Sequence, residues 1–265
     1  MIALLPDGLE LAYDEAGSGI PLLFIHGWPH DRTLWAAQLS GLPTRARCIA
    51  PDLRGFGDSS VREPYSIDQY ADDLARFLAS LGIERAVVCG LSMGGYVAMS
   101  MLRRHRALIR GLVLTSTRAT ADTPEGREKR ARLIEFVEER GVEALAARQL
   151  KAMVGATTLA SRPDTVEGLR ALMARAPRDG VTGALRAMAA RVDSTDLLAS
   201  VTLPTLVVSG LEDTFTPPDE IRTMARGIPG ARLETIAGAG HACAYERPAA
   251  FNHLVAEFLA SLVYD

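Results

Sequence analysis

The sequence predicts an α/β protein with a mostly parallel central sheet, helices flanking it, and a helical cap inserted between two sheet strands. Three observations predict it. Short, near-continuous apolar runs recur along the chain, as in strands buried on both faces. Segments with apolar residues at helical spacing separate them. The alternation lapses over residues 118–200, where helical patterning continues without a convincing strand.

The elements follow in order. Met1 to Ala16 reads as an antiparallel hairpin turning at Pro6-Asp7-Gly8. Pro21 to His26 is a buried strand ended by Gly27, and Arg47 to Pro51 is another, ended by the loop Asp52 to Ser60. Ile67 to Leu81 is a helix, with Ile67, Tyr70, Leu74, Phe77, Leu78 and Leu81 on one face. Ala86 to Cys89 is a strand and Gly94 to Arg104 a helix. Leu112 to Thr115, Leu203 to Ser209 and Arg232 to Ile236 are further strands, and Pro248 to Leu262 is a final helix with Phe251, Leu254, Val255, Phe258 and Leu259 as its apolar stripe. Within the interruption, Thr123-Pro124-Glu125 is a helix start, with Thr as cap and Pro in the first turn. The expected division is a core of 1–117 and 201–265 carrying a cap of 118–200.

Composition bounds the function classes. The chain has 265 residues, 48% hydrophobic and 23% charged, which is globular rather than disordered. A chain of this length buries roughly 70–75% of its unfolded surface and needs no disulfide or metal staple. Its net charge of −3 argues against a dedicated nucleic-acid or anionic-membrane binder, though not against a small local patch. Cys48, Cys89 and Cys243 cannot all pair and form no C-x-x-C, which speaks against a zinc site and for a reducing, cytoplasmic compartment. The first ten residues lack the basic start and apolar stretch of a signal peptide, and no run of ~18 apolar residues would span a membrane.

The chemistry centres on Gly90-Leu91-Ser92-Met93-Gly94, a G-x-S-x-G string between an apolar run and a helical segment. That is the strand–turn–helix setting of a nucleophile elbow, where a sharp turn lifts a serine clear of the sheet. Glycines on either side let strand and helix approach closely. A serine hydroxyl needs a base. Of five histidines, His105 lies in the charged stretch Arg103 to Arg106 and is expected to be solvated. His253 falls within the last helix, and His26 and His30 flank the loop after the first parallel strand. His241, after the last strand, lies where the carboxyl edge of the sheet should be. The acid that orients it is one of two neighbours, Glu212 or Asp213, in the loop after Ser209. The order serine, acid, histidine is that of the nucleophile-elbow enzymes. The oxyanion would lie between the N–H of Met93 and that of Trp28 in His26-Gly27-Trp28-Pro29; Pro29 has no N–H to give. Each such donor is typically worth ~3–4 kcal/mol in the transition state.

Taken together, His26-Gly-Trp-Pro29, Pro51-Asp-Leu-Arg-Gly-Phe-Gly-Asp-Ser59, Gly90-Leu-Ser-Met-Gly-Gly95, Gly210-Leu-Glu-Asp213 and Gly240-His241 resemble the α/β-hydrolase superfamily. The chain is similar to bacterial short-chain serine carboxylesterases and, more loosely, to 3-oxoadipate enol-lactonases and cofactor-free haloperoxidases. The resemblance implies a catalytic triad of Ser92, Asp213 and His241, chooses Asp213 over Glu212, and implies an oxyanion hole from Trp28 and Met93. It implies a carboxylesterase acting on small to medium esters without metal or cofactor, as a monomer or homodimer. A lactonase or perhydrolase using the same triad is the enzymatic alternative; a silent hydrolase-fold ligand receptor is the non-enzymatic one. The serine at position 92 speaks against relatives that displace halide with an aspartate.

Remaining residues have plainer readings. Trp28, Tyr96, Phe136 and Phe215 are candidate substrate-lining residues, and Trp35 is either such a residue or core. Asp52, Arg54 and Asp58 are expected to brace their loop with ion pairs, since no P-loop lysine follows. Cys89 is expected to be inert in a strand, and Cys243 to be exposed. Arg127, Lys129, Arg130 and Arg132, interleaved with Glu125 and Glu128, read as a solvated helix face.

Overall fold

Gly8 adopts φ 79°, open to a residue without Cβ, and reverses the chain between β1 (Ile2–Leu4) and β2 (Glu10–Ala16), which pair antiparallel with Leu4 opposite Glu10. The fold is that of a computed structural model, which describes residues 1–42 and 44–262. Among these residues, eight strands form one sheet in the order β1-β2-β4-β3-β5-β6-β7-β8. The others are β3 (Ile20–Ile25), β4 (Ala46–Pro51), β5 (Ala86–Leu91), β6 (Ile109–Thr115), β7 (Thr205–Gly210) and β8 (Arg232–Ile236). β2 joins β4 antiparallel; every pairing from β4 to β8 is parallel. The central strands are the near-continuous apolar runs of the sequence because both their faces are covered: every residue of β5 and of β7 is buried.

The flanking helices form where periodicity and caps coincide. In the first half of the chain they are α1 (Ala36–Gly41), α2 (Ile67–Ser80) and α3 (Met93–Arg104). The Ser66 hydroxyl accepts the Gln69 N–H at 2.9 Å to start α2, which buries Ile67, Tyr70, Leu74, Phe77 and Leu78. Phe24, Trp35 and Phe251 pack in series, with ring centroids 4.8 and 6.0 Å apart, so Trp35 is core. The loop after β4 is braced by charge. Arg32 meets Asp14, Asp52 and Asp58, and Arg54 and Asp73 form a bidentate pair with both side chains 1% exposed.

Between β6 and β7 the described chain is helical: α4 (Pro124–Met153), α5 (Ala156–Ser161), α6 (Pro163–Ala174), α7 (Arg178–Ala189) and α8 (Thr195–Leu198). Thr123 caps α4 by accepting the Gly126 N–H at 3.1 Å. Gly141, at φ 80° and ψ 172°, breaks α4 into two helices. The solvated face expected there needs one correction. Arg132 pairs with Glu128, but Arg130 turns inward to Asp122 and to the Met188 sulfur.

The insertion is fixed to the sheet domain at several points. Arg175 makes two 2.8 Å bonds to Asp31, and the Trp28 indole N–H donates to Val181 O at 3.1 Å. A Cβ at Gly180 would run into the Gly55 carbonyl, so α7 and the Asp52–Ser60 loop touch backbone to backbone. The chain closes with α9 (Pro218–Gly227), α10 (Cys243–Glu246) and α11 (Pro248–Ser261). α9 is absent from the sequence prediction because only Ile221, Met224 and Ala225 of its ten residues are buried. His105 is half-buried rather than fully solvated, with its Nε2 2.7 Å from Asp72 Oδ1. His253 stays exposed, beside Glu257.

Candidate active site

The turn from β5 into α3 is as tight as its glycines allow. Ser92 stands at φ 54° and ψ −112°, the conformation of the first central residue of a type II′ turn and one that glycine normally occupies. The turn is held from beneath, where Ser92 N–H donates to Thr115 O at 2.9 Å and the Thr117 hydroxyl donates to Ser92 O at 2.8 Å. An added Cβ at Gly90 would collide with the Gly94 carbonyl, one at Gly94 with the Ile25 carbonyl, and one at Gly95 with the Thr117 side chain. Gly94→Ala is therefore expected to cost about 3 kcal/mol through overpacking against backbone that has no rotamer to change. A urea-unfolding midpoint shifted by less than about 1 kcal/mol would mean that the strand end yields instead.

Two sheet-edge loops bring an acid and a base together. Asp213 follows β7, and its Oδ1 accepts the N–H groups of Phe215 and Thr216, each at 2.8 Å. Its Oδ2 lies 2.9 Å from His241 Nδ1, with both side chains essentially buried. With Oδ1 turned toward backbone donors, Oδ2 is left to accept an Nδ1–H, and Nε2 is then the basic nitrogen. That Nε2 is buried and has no hydrogen-bond partner. The Phe215 ring packs on the His241 ring at 4.7 Å. Glu212 turns the other way and accepts the Thr157 N–H at 2.8 Å together with the Thr157 hydroxyl. Those two hydrogen bonds hold its carboxyl below the ordinary glutamate range.

Glu246, a residue the sequence reading missed, fixes the base loop. It is fully buried, and its two oxygens accept Gly240 N–H at 2.8 Å and Gly155 N–H at 2.9 Å. Burial pushes its pKa up. Ala242 N–H also donates to Met153 O at 2.9 Å. The loop bearing His241 is thus bonded directly to the end of α4. Only the following Pro248, marking a helix start, hinted that Glu246 ends a short structured loop.

The third loop follows β3. A Cβ on Gly27 would stand 3.1 Å from Leu91 O and 3.3 Å from Ser92 Cβ, so this loop passes directly beside Ser92. Neither the Trp28 N–H nor the Met93 N–H has an acceptor among the described residues. His26 shapes the turn. Its Nε2 accepts Leu53 N–H at 3.0 Å, which leaves Nδ1–H to donate to Gly27 O at 2.9 Å. Burial holds its pKa low.

The four aromatic candidates part company. Phe215 packs on His241, and Trp28 follows Gly27, which passes beside Ser92, with its indole bonded to Val181 O. Tyr96 stacks under the Arg191 guanidinium at 4.2 Å, and Phe136 under that of Arg148 at 4.7 Å. Cys89 is buried as expected. Cys243 is not exposed as expected: it is 0% exposed, its Sγ lies 3.9 Å from Ser116 Oγ, and burial pushes its thiol pKa up to about 12. Its small neighbours Ala242 and Ala244 are buried as well. A thiol-specific reagent is expected to leave Cys243 untouched in the native protein and to label it only on unfolding; native labelling within minutes would contradict this burial.

Comparison with known proteins agrees with this architecture. The profile of a family described as the alpha/beta hydrolase fold matches residues 20–248. A thermophilic esterase from Thermogutta terrifontis, solved with malate bound, is 39% identical and superposes with a TM-score of 0.95 over 99% of this chain and 98% of its own. The enol-lactonase from Burkholderia xenovorans is 29% identical, with a TM-score of 0.90 over 98% of this chain and 100% of its own. A non-heme haloperoxidase from Rhodococcus erythropolis is 31% identical over 252 residues, 89% of this chain and 90% of that protein.

Proposed function

Because this chain belongs to the alpha/beta hydrolase fold family, we propose that it is a serine carboxylesterase acting on small to medium carboxylic esters. The observation that carries this reading is the Asp213–His241 pair, whose Nε2 is buried and unpartnered, in a fold that sets Ser92 on a strained turn beside the Trp28 loop. His241 Nε2 takes the Ser92 proton as Oγ attacks the ester carbonyl. The oxyanion that forms is met by the N–H groups of Trp28 and Met93, already free of other acceptors. His241 then protonates the leaving alcohol, and the acyl group stays on Ser92 Oγ. Water, deprotonated by the same nitrogen, attacks the acyl carbon; Oγ leaves and regains its proton, and the carboxylic acid departs. Asp213 stays ionised and holds the ring in place.

In this reading residues 118–200 are a cap over a core of 1–117 and 201–265. Trp28 and Phe215 line the acyl site, whereas Tyr96 and Phe136, already stacked beneath arginines, hold the cap region together. No helix of the described residues is long and apolar enough to cross a membrane. A cytoplasmic location is part of the proposal, resting on three unpaired cysteines. The test is hydrolysis of p-nitrophenyl esters from acetate to dodecanoate, with Ser92→Ala alongside. Serine-dependent turnover that falls with chain length supports the proposal. A second reading, a lactonase, is favoured by the similarity to an enol-lactonase over the full chain. Turnover confined to lactones, or peracid formation from peroxide and acetate without ester hydrolysis, would replace the first.

A further inference from the structure

His30 is 1% exposed, yet neither of its ring nitrogens has a hydrogen-bond partner. Two empty nitrogens on a buried imidazole are rare, because each forfeits its hydration without compensation. The neighbouring polar groups are engaged elsewhere. Gly27 O lies close enough to act on the His30 ring but already accepts the His30 backbone N–H and the His26 Nδ1–H. His26 engages both its nitrogens with Gly27 O and Leu53 N–H, and His241 gives Nδ1 to Asp213. Asp31 is turned toward Thr33 and Arg175.

The ring lies near Ser92, across Gly27. Its Nδ1 lies 3.5 Å from the point a Gly27 Cβ would occupy, and Ser92 Cβ lies 3.3 Å from that same point. His241 is also within electrostatic reach. Burial, with His26 and His241 nearby, pushes the His30 pKa down to about 3. At working pH the ring is therefore neutral, with one N–H to donate and one lone pair to accept. The two nitrogens point away from each other, so one ligand group meets one of them. A carboxylate can only accept, so it suits the nitrogen that carries the proton and not the other. A hydroxyl donates or accepts, so it suits whichever nitrogen faces it in either tautomer.

Resting on the esterase reading above, we propose that His30 is a specificity-determining residue that hydrogen-bonds a hydroxyl on the acyl chain, one or two carbons from the ester carbonyl. The preferred substrates are then esters of short hydroxy acids. The acyl carbon is bonded to Ser92 Oγ in the intermediate, so its adjoining carbons stay beside Ser92 Cβ through both halves of the reaction.

The experiment compares kcat/KM for two ester pairs in which a methyl replaces the hydroxyl: p-nitrophenyl 2-hydroxypropanoate against 2-methylpropanoate, and 3-hydroxybutanoate against 3-methylbutanoate. Each ratio is divided by the ratio of the two hydroxide-catalysed rates. In the native enzyme at least one pair is expected to favour the hydroxy ester about tenfold. His30→Leu should bring that ratio to within about twofold of 1, and His30→Gln, which keeps a donor and an acceptor, should retain part of it. Each ratio is taken within one protein, so a loss of folded enzyme or a shift of Ser92 lowers both members and leaves the ratio alone. Ratios near 1 in the native enzyme, or ratios that survive His30→Leu, overturn the proposal. Turnover of p-nitrophenyl acetate separates the two readings. If the native enzyme lacks it, the esterase assignment falls and this proposal with it; if it is present with flat ratios, only the role of His30 falls.

Discussion

Ser92→Ala is expected to lower ester turnover by roughly 10⁴–10⁶-fold, the scale on which removal of a nucleophile acts when base and oxyanion donors remain. The protein should still unfold in one cooperative transition. Ser92 is nearly buried and no hydrogen bond of its hydroxyl supports the fold; its backbone N–H and C=O, which hold the turn, are unchanged by the substitution. A companion variant separates chemistry from stability. Ser92 stands at φ 54°, where any residue with a Cβ is strained. Ser92→Gly should therefore be as inactive as Ser92→Ala but more stable than the native protein by about 1 kcal/mol, read from urea denaturation. Native-like rates in Ser92→Ala, once contaminating esterases are removed, would dismiss Ser92 as nucleophile. Equal stability of all three proteins would dismiss the strain.

Asp213→Asn is expected to lower kcat by about 10³–10⁴-fold, against less than threefold for Glu212→Gln. The two acids are adjacent, but their surroundings differ. In the Asp213→Asn variant the side-chain oxygen can still take the Phe215 and Thr216 N–H groups. The new amide nitrogen would then face His241 Nδ1 and favour the tautomer whose proton sits on Nε2. That tautomer has no lone pair for the serine proton. Glu212 faces Thr157, and Gln can keep one acceptor there. Side-by-side steady-state kinetics decide the matter. The reverse ranking would move the orienting role to Glu212.

Much of this was legible in the sequence, for reasons that can be named. The parallel strands are readable because both faces are buried, which forces continuous apolar runs such as Ala86–Cys89. The elbow is readable because steric contact with Ile25, Gly94 and Thr117 leaves glycine as the residue that fits at 94, 90 and 95. The choice between Glu212 and Asp213 was not readable from spacing, because a loop can present either neighbour; family resemblance made it. Glu246 escaped notice because a glutamate beside an arginine and a proline reads as solvated, and only the tertiary fold shows two backbone donors closing on it. Cys243 was misplaced for the converse reason. Small neighbours leave room that sequence assigns to solvent and the fold assigns to Ser116 and adjoining chain.

The junction at Met153 to Gly155 has a consequence for anyone remodelling this protein. Met153 O and Gly155 N–H are bonded to the very loop that carries His241, partly through Glu246. The helical insertion is consequently no interchangeable lid. A graft that replaced it from end to end to change substrate range would also remove the support of the His241 loop. Chimeras that retain residues 153–162, which also keeps the Arg162 bond to Glu246 O, and exchange the helices on either side keep that support, so the boundary for recombination lies inside the insertion rather than at its ends.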